Sequence, residues 1–277
     1  MEFEEYARKQ ERTSPDGSDI VMVALGLTGE VDPSRRGFLK AVVGLSAVAA
    51  VGGLGKGVVQ NLITPSVGLT NFPETLLYWN DPSLPSSAPV PLKASQFEAE
   101  SPSVWIYYYP LSDEPNFIIR FKESVPPTKV TIDATGVTYP FTGGVGPENS
   151  IVSYSAICQH LGCIPPVIHY YPPSQESTLP SNVTSVLKAY NQTKPTHGVV
   201  HCNCHGSTYD PFRGAAIITH PTQSPLPFVT LKYDPLTDNL YAKKLTGPVV
   251  FGHPSDLTGG HAISNLGKTT VTKLAAS

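Results

Sequence analysis

Apolar residues fall in short runs along most of this 277-residue chain, and turn residues separate the runs. The runs are rich in β-branched and aromatic residues, and Pro, Asp and Asn lie between them, which is typical of β-strands joined by turns. The last two runs flank a polar stretch at 234–239, which predicts a hairpin. The strand-forming runs are 104–109, 117–121, 130–133, 151–156, 199–201, 228–233 and 240–242. The sequence therefore predicts an all-β domain.

One stretch has helical spacing instead. Val183, Val186, Leu187 and Tyr190 follow the i, i+3, i+4, i+7 spacing of an amphipathic helix, and Ser181 precedes them as a candidate cap. This predicts a short helix that covers the β-domain or contacts a partner.

A longer apolar run near the amino terminus has a different meaning. Residues 38–63 supply the roughly 20 mostly apolar residues that cross a bilayer as a helix. The run follows SRRGFLK at 34–40, in which Arg35 and Arg36 match the twin-arginine export signature. The alternative is a chance arginine pair before an ordinary membrane helix. Because no clean cleavage site follows, we expect an uncleaved single-pass anchor in the plasma membrane, with the carboxy-terminal domain on the extracytoplasmic side.

These patterns divide the chain into five parts. Residues 1–37 form a cytoplasmic tail with the arginine motif, 38–63 the transmembrane signal-anchor, 64–91 a linker or hinge, 92–246 the β-domain and 247–277 a carboxy-terminal tail. The glycine-rich composition of the last part predicts either a mobile tail or an arm that wraps the domain.

The charge balance narrows the class of partner. Charged residues make up 15% of the chain and the formal net charge is −3. Nucleic-acid binding depends on clustered positive charge, so this composition argues against nucleic acid as a partner.

All four cysteines of the chain lie in two short boxes that also carry histidine. The boxes are CQHLGC at 158–163 and CNCHGS at 202–207, and each follows a predicted strand. Two thiolates and two imidazoles on paired loops suit a metal centre, and the other two cysteines could link the loops. A zinc site uses the same donor types with a different usual spacing, and two plain disulfides are the second alternative.

The boxes resemble the C-x-H-L-G-C and C-x-C-H-G-S motifs of Rieske iron–sulfur proteins. The likeness continues through Thr208 to Tyr209 and Asp210, as in the high-potential, quinol-oxidising, cytochrome bc-type branch of that family. The resemblance implies antiparallel sheets of the Rieske type, with a small cluster-binding part at about 151–227.

The resemblance also implies a role for each residue type in the boxes. The implied cofactor is a [2Fe–2S] cluster, in which two histidines replace two cysteines on one iron. The implied ligands are Cys158 and Cys202 on one iron and His160 and His205 on the other. The implied disulfide joins Cys163 to Cys204.

Further residues around the boxes follow the same resemblance. Ser207 and Tyr209 would donate hydrogen bonds to cluster sulfur atoms and raise the reduction potential. The immediate surroundings would be completed by Leu161, Gly162 and Gly206, and a covering loop would be formed by Pro225 and Pro227. The chain departs from the family in two places: SPLP at 224–227 lacks the usual leading glycine, and the segment 164–198 is an insertion.

The remaining histidines lack ligand spacing. We expect His201, at the end of a predicted strand, to be a structural or surface residue. Five others lie among proline and glycine and are expected at the surface: His169, His197, His220, His253 and His261.

The resemblance implies a membrane-anchored electron-transfer subunit. His160 and His205 would each keep one ring nitrogen free to take a proton from quinol. The implied partners are quinol, a cytochrome b-type membrane subunit, and a cytochrome or copper protein that accepts the electron. One alternative is the Rieske component of an oxygenase, which normally adds a 2-His-1-carboxylate iron site, and the sequence has no convincing box for that site. The other alternative is an exported binding module stabilised by zinc or disulfides.

Overall fold

Short strands joined by tight turns build the part of the chain that the computed structural model describes, residues 74–80, 89–252 and 268–274. These residues belong to one unit, Lys56–Ser277. The strands are β1 Thr75–Trp79, β2 Val90–Pro91, β3 Val104–Tyr108, β4 Pro115–Arg120, β5 Thr128–Thr131, β6 Thr138–Phe141, β7 Ile151–Ser155, β8 Ile168–Tyr171, β9 Val199–Cys202, β10 Thr208–Asp210, β11 Ala216–Thr219, β12 Phe228–Asp234, β13 Asn239–Thr246 and β14 Lys268–Leu274. The α-helix of this part is α1, Ser181–Tyr190.

The largest sheet has eight strands in the order β13-β12-β7-β4-β3-β14-β1-β2. Strand β13 also pairs with β1, so the sheet closes on itself like a barrel. Its pairings are antiparallel except for the parallel pair β1 and β14. The described fold is thus mostly β and largely antiparallel, as the sequence predicts.

The central strands of this sheet bury both of their faces. On β3, Val104 and Ile106 point into one apolar cluster, while Trp105 and Tyr107 point into another. Strand β4 repeats the alternation, with Phe117 in the first cluster and the next residue in the second. Side chains of a strand alternate between its faces, so a strand with two buried faces reads as a continuous apolar run. This accounts for the unbroken apolar sequence of both strands.

A second sheet carries the two cysteine–histidine boxes. It has four antiparallel strands in the order β11-β10-β9-β8. The first box connects β7 of the large sheet to β8, and the second box connects β9 to β10. The first apolar cluster includes Val152 from the large sheet and Ile168 and Val200 from this one. The two sheets therefore share a core beneath the boxes.

The insertion between the boxes forms a compact layer that ends in α1. Val183 and Leu187 are buried against Leu179 and Val199, as the helical spacing predicts. Val186 of the same predicted face is 42% exposed. Ser181 is the first helical residue and does not cap the helix, because Pro180 takes the cap position without a side-chain hydrogen bond.

The segments expected to be linker and tail contribute to the large sheet. Strands β1 and β2 lie within 64–91, and β14 lies within 247–277. The large sheet therefore includes strands on both sides of the predicted domain 92–246, and β14 joins it between β1 and β3. The predicted anchor 38–63 and the arginine motif lie outside the described residues, among which no helix is long and apolar enough to cross a membrane.

Candidate metal centre

The two boxes fold into loops with the same backbone pattern. In the first loop the Gly162 N–H donates to the Cys158 carbonyl at 2.9 Å, and the Cys158 N–H donates to the Cys163 carbonyl at 2.9 Å. In the second loop the Gly206 N–H donates to the Cys202 carbonyl at 3.0 Å, and the Cys202 N–H donates to the carbonyl of residue 207 at 2.9 Å. The two loops are thus equivalent turns, each opened by a cysteine.

The shared turn explains the glycine in each box. Gly162 has φ of +76° and Gly206 has φ of +93°, in the left-handed region that favours glycine. A Cβ atom on Gly162 would also lie 2.9 Å from Cδ1 of Phe251, so that ring would have to shift to admit a side chain.

The equivalence also explains the different spacing of the histidines. When the two turns are matched residue by residue, Cys158 corresponds to Cys202, and His160 corresponds to Cys204. Each loop therefore presents one cysteine at its opening, while the second cysteine and the histidine take different positions in the two loops. The spacing that argues against an ordinary zinc finger follows from this arrangement.

The structure confirms the disulfide that the resemblance implies. Cys163 and Cys204 are bonded and join the loops, and Cys158 and Cys202 are free and buried. The Sγ atom of Cys202 lies within 4.8 Å of both disulfide sulfurs. Disulfide sulfurs cannot act as thiolate ligands, so the thiols available to a metal are those of Cys158 and Cys202.

The two free thiols form a coupled pair. The Cys202 thiol donates a hydrogen bond to Cys158, and this bond lowers the pKa of Cys158. The same bond, together with burial, raises the pKa of Cys202. Cys158 is therefore the sulfur of the pair that ionises first.

The two box histidines lie against each other at the end of the domain. The ring centroids of His160 and His205 are 4.8 Å apart and the ring planes are at 84°. His160 is half-buried and His205 is exposed. The Nδ1 atom of His160 is buried and has no hydrogen-bond partner among the described residues. An unsatisfied buried nitrogen is costly, and a bond to a metal would relieve the cost. Two free thiols and two adjacent imidazoles thus fit a [2Fe–2S] cluster with mixed ligands.

Tyr209 approaches the first loop from the buried side. Its hydroxyl lies 3.5 Å from Sγ of Cys158 and accepts the N–H of Gln159 at 3.2 Å. Burial, followed by the nearby charge of Cys158, raises the pKa of Tyr209, so the hydroxyl keeps its proton. Because the N–H occupies the oxygen as an acceptor, the proton is available to the sulfur.

Ser207 is held by a residue for which the sequence gives no signal. Its hydroxyl oxygen accepts the N–H of Thr222 at 3.2 Å, and both residues are buried. The Thr222 hydroxyl donates to the Ser224 carbonyl at 2.9 Å, which fixes the start of the predicted covering loop. Pro225 and Pro227 of that loop are buried. The loop is therefore tied to the second box through Thr222.

The remaining predicted residues have mixed outcomes. Leu161 is 55% exposed beside the box histidines. His201 is buried, and its Nδ1 lies 2.8 Å from the Thr208 hydroxyl, so it is structural as expected.

His169 is not at the surface: it is 2% exposed, and Nε2 lies 3.0 Å from the Pro102 carbonyl. His197 is half-buried and stacks on a phenylalanine ring, whereas His220 is exposed. His253 and His261 lie outside the described residues.

Comparison with known proteins agrees with this site. Residues 118–230 match the family model of the Rieske [2Fe-2S] domain. This match supports a Rieske-type domain over these residues, and the cofactor of such a domain is a [2Fe–2S] cluster. Among solved structures, the chain is similar to the soluble domain of the Rieske protein II (soxF) from Sulfolobus acidocaldarius, with 25% sequence identity, coverage of 64% of this chain and 79% of that chain, and a TM-score of 0.39.

Proposed function

We propose that two thiols and two imidazoles of the boxes hold the cluster, with Cys158 and Cys202 on one iron and His160 and His205 on the other. One observation carries the assignment: equivalent turns bring two free buried thiols and two touching imidazoles together, while the other two cysteines are joined in a disulfide. When bound, a cluster of this type supplies one-electron acceptance at a potential of about −150 to +300 mV.

The surrounding residues favour the upper part of that range. Hydrogen bonds to sulfur stabilise the reduced site, which carries more negative charge. The Tyr209 hydroxyl is placed to donate to Cys158, and the Thr222 N–H leaves the Ser207 hydroxyl proton free for a sulfur acceptor. Two donors, Ser207 just before β10 and Tyr209 on β10, thus support a high-potential centre.

The exposed position of the histidines supports quinol as the electron donor. His205 is exposed, His160 is half-exposed, and the apolar side chain of Leu161 lies beside them at 55% exposure. An apolar surface around the imidazoles suits an apolar quinol ring, and a ring nitrogen not bound to metal can accept the hydroxyl proton. The function we propose is therefore quinol oxidation with a cytochrome b-type membrane subunit, with a cytochrome or copper protein as the electron acceptor.

The ligand assignment is tested by single substitutions in the full chain. We expect Cys158→Ser and His160→Ala to lose the Rieske spectrum by electron paramagnetic resonance. The matched control is Cys163→Ser with Cys204→Ser, which removes the other two cysteines of the same boxes. The control is expected to bind the cluster less durably and to keep its spectrum. A normal spectrum in Cys158→Ser would refute the assignment, and bound zinc without iron in the wild type would refute the cofactor role.

Membrane anchoring is the second part of the proposal and rests on the sequence. The run 38–63 and the preceding Arg35 and Arg36 support a twin-arginine signal-anchor that carries the domain to the extracytoplasmic side. Replacing both arginines with lysine keeps the charge and is expected to leave the protein unexported in a cell-fractionation experiment. Export of the double variant at the wild-type level would contradict the signal. A mature chain that begins after residue 63 would show cleavage in place of anchoring.

A further inference from the structure

We propose that Thr219 is a positioning residue for the second box, and that it acts by holding the carbonyl of Gly206. The inference deepens the proposed function and rests on it, since Gly206 stands between the proposed ligand His205 and the proposed donor Ser207. Thr219 lies outside both boxes, on β11, and no sequence motif includes it.

Two hydroxyl groups converge on one carbonyl oxygen. The Thr219 hydroxyl lies 2.5 Å from the Gly206 carbonyl oxygen, and the Thr208 hydroxyl lies 3.2 Å from the same atom. The two hydroxyl oxygens are 2.7 Å apart, and Nδ1 of His201 lies 2.8 Å from the Thr208 hydroxyl. A carbonyl can only accept, so the short contact is a hydrogen bond donated by Thr219. The side chains of His201 and Thr208 next to this bond are both buried.

A β-bulge is what brings Thr219 to this position. On β10, Thr208 pairs with Thr219 while Tyr209 pairs with Ile217, so the register shifts between the two residues. Ile218 is the extra residue on β11. Without it, Thr208 would face Ile218 and the carbonyl would lose its nearer donor. Bulges commonly redirect one side chain beside a functional site, and this one directs a hydroxyl at the second box.

The held carbonyl fixes a peptide unit that needs support. Gly206 has φ of +93°, and a glycine in the left-handed region has more backbone freedom than any other residue. Its N–H is already fixed by the Cys202 carbonyl at 3.0 Å. The bond from Thr219 fixes the other side of the residue. Together the two bonds hold the backbone from which His205 and Ser207 project.

The test compares three variants of the full, cluster-loaded chain. Thr219→Val keeps the β-branched shape and removes the hydroxyl, and Thr219→Ser restores the hydroxyl. Thr230→Val is the matched control, because Thr230 is a half-buried strand residue with no side-chain hydrogen bond among the described residues. The midpoint potential is measured by voltammetry, and the exchange rate of the Gly206 amide by hydrogen–deuterium exchange.

We expect Thr219→Val to shift the potential downward and to speed amide exchange at Gly206 about tenfold, as the loss of one hydrogen bond of ordinary strength allows. Thr219→Ser should recover most of both changes, and Thr230→Val should show neither. Failure of Thr219→Val alone to hold a cluster would also support the role. The proposed role would be overturned if Thr219→Val kept the wild-type midpoint potential and the wild-type exchange rate at Gly206. It would also be overturned if Thr230→Val changed both quantities as much as Thr219→Val. Absence of a [2Fe–2S] spectrum in the wild type would instead overturn the proposed function.

Discussion

At the scale of single residues, Tyr209 influences the site through one oxygen atom that serves two neighbours. The hydroxyl accepts the Gln159 N–H and lies 3.5 Å from Sγ of Cys158. We expect Tyr209→Phe to lower the midpoint potential and to leave the cluster in place. If the bond to sulfur favours the reduced site by about 1.5 kcal/mol, the fall is roughly 60 mV for a one-electron couple. The potential is measured by redox titration followed by electron paramagnetic resonance.

The control for this prediction is another buried tyrosine. Tyr107 is fully buried in the second apolar cluster, and its hydroxyl binds the Ser153 hydroxyl at 2.8 Å. Tyr107→Phe removes the same atom from a cluster that does not contain Cys158 or Cys202, so the potential should not change. An unchanged potential in Tyr209→Phe would mean that the hydroxyl does not act on the sulfur.

Glu114 gives the molecule a pH dependence that is independent of the metal centre. It is buried between β3 and β4, and burial, followed by the charge of Asp113, raises the pKa of Glu114 to about 8. The folded-state pKa of Glu114 lies above the usual value near 4.5. The contribution of the protonated carboxyl to folding stability is therefore fully present below pH 4.5 and is lost as pH rises through 8. We expect Glu114→Gln to remove this loss.

The measurement compares the unfolding free energy of wild type and Glu114→Gln between pH 5 and pH 9. The stability of the wild type relative to the variant should fall across this range, by at most about 5 kcal/mol. Asp113→Asn is the matched control. It removes the charge that is the smaller cause of the raised pKa, and it leaves the Glu114 carboxyl buried. A constant difference between wild type and Glu114→Gln at all pH values would contradict the prediction.

The site residues differ in how far the sequence could identify them. The boxes were identifiable because ligands and disulfide cysteines must be of one residue type at fixed spacing. Thr222 and Thr219 were not, because one acts through a backbone N–H and the other depends on a bulge between β10 and β11. Neither property leaves a pattern of residue types. The expectation for His169 is wrong for a related reason: this buried residue contacts the Pro102 carbonyl, which is distant in sequence, and local composition does not reveal such a contact.

At the scale of elements, strands with two buried faces were the easiest to predict. The apolar runs of β3 and β4 are continuous because each face packs in its own cluster. Strands β1 and β14 were missed because they pair with each other in parallel and complete the sheet only through long-range contacts. Their neighbourhoods are rich in proline and glycine, which locally indicate loops.

Helix α1 offers a test within one element. Leu187 is 3% exposed and packs on Val183 and Val199, whereas Val186 is 42% exposed on the adjacent position. We expect Leu187→Ala to cost about 2–5 kcal/mol of stability through the cavity it leaves. Val186→Ala should change stability by less than about 0.5 kcal/mol. Thermal unfolding of both variants measures the difference.

Equal melting temperatures for the two variants would show that α1 does not pack as described. The same helix is linked to the second box, because the Tyr190 hydroxyl donates to the Asp210 carboxylate at 2.9 Å and Arg213 binds that carboxylate at 2.6 Å. Asp210 directly follows Tyr209 on β10. The insertion is therefore part of the structural support of the cluster-binding sheet.

At the scale of the whole molecule, formal charge is distributed unevenly. The segments 149–175 and 196–209, which contain both boxes, include no Asp, Glu, Lys or Arg. Exposed apolar side chains take their place, with Leu161 at 55%, Ile164 at 54% and Phe251 at 39% exposure. Because Phe251 lies close to Gly162, the carboxy-terminal arm contributes to this surface. The surface is suited to an apolar, uncharged partner site.

This distribution predicts how electron transfer with the proposed membrane partner would respond to salt. Between roughly 10 mM and 1 M ionic strength the Debye length falls from about 30 Å to about 3 Å, which suppresses any steering by charge. We expect the rate of reduction by quinol in partner-containing membranes to change by less than about twofold over this range. Leu161→Lys introduces one positive charge without altering the ligands, and Leu161→Gln is its uncharged polar control. Both variants should slow the reaction because an apolar contact is lost, and the lysine variant should slow it more because a charge must also be desolvated on docking. Neither variant should become strongly salt-dependent. A strong salt dependence in the wild type would place docking on a charged surface away from the boxes, and quinol oxidation at His160 and His205 would then need a different route of access.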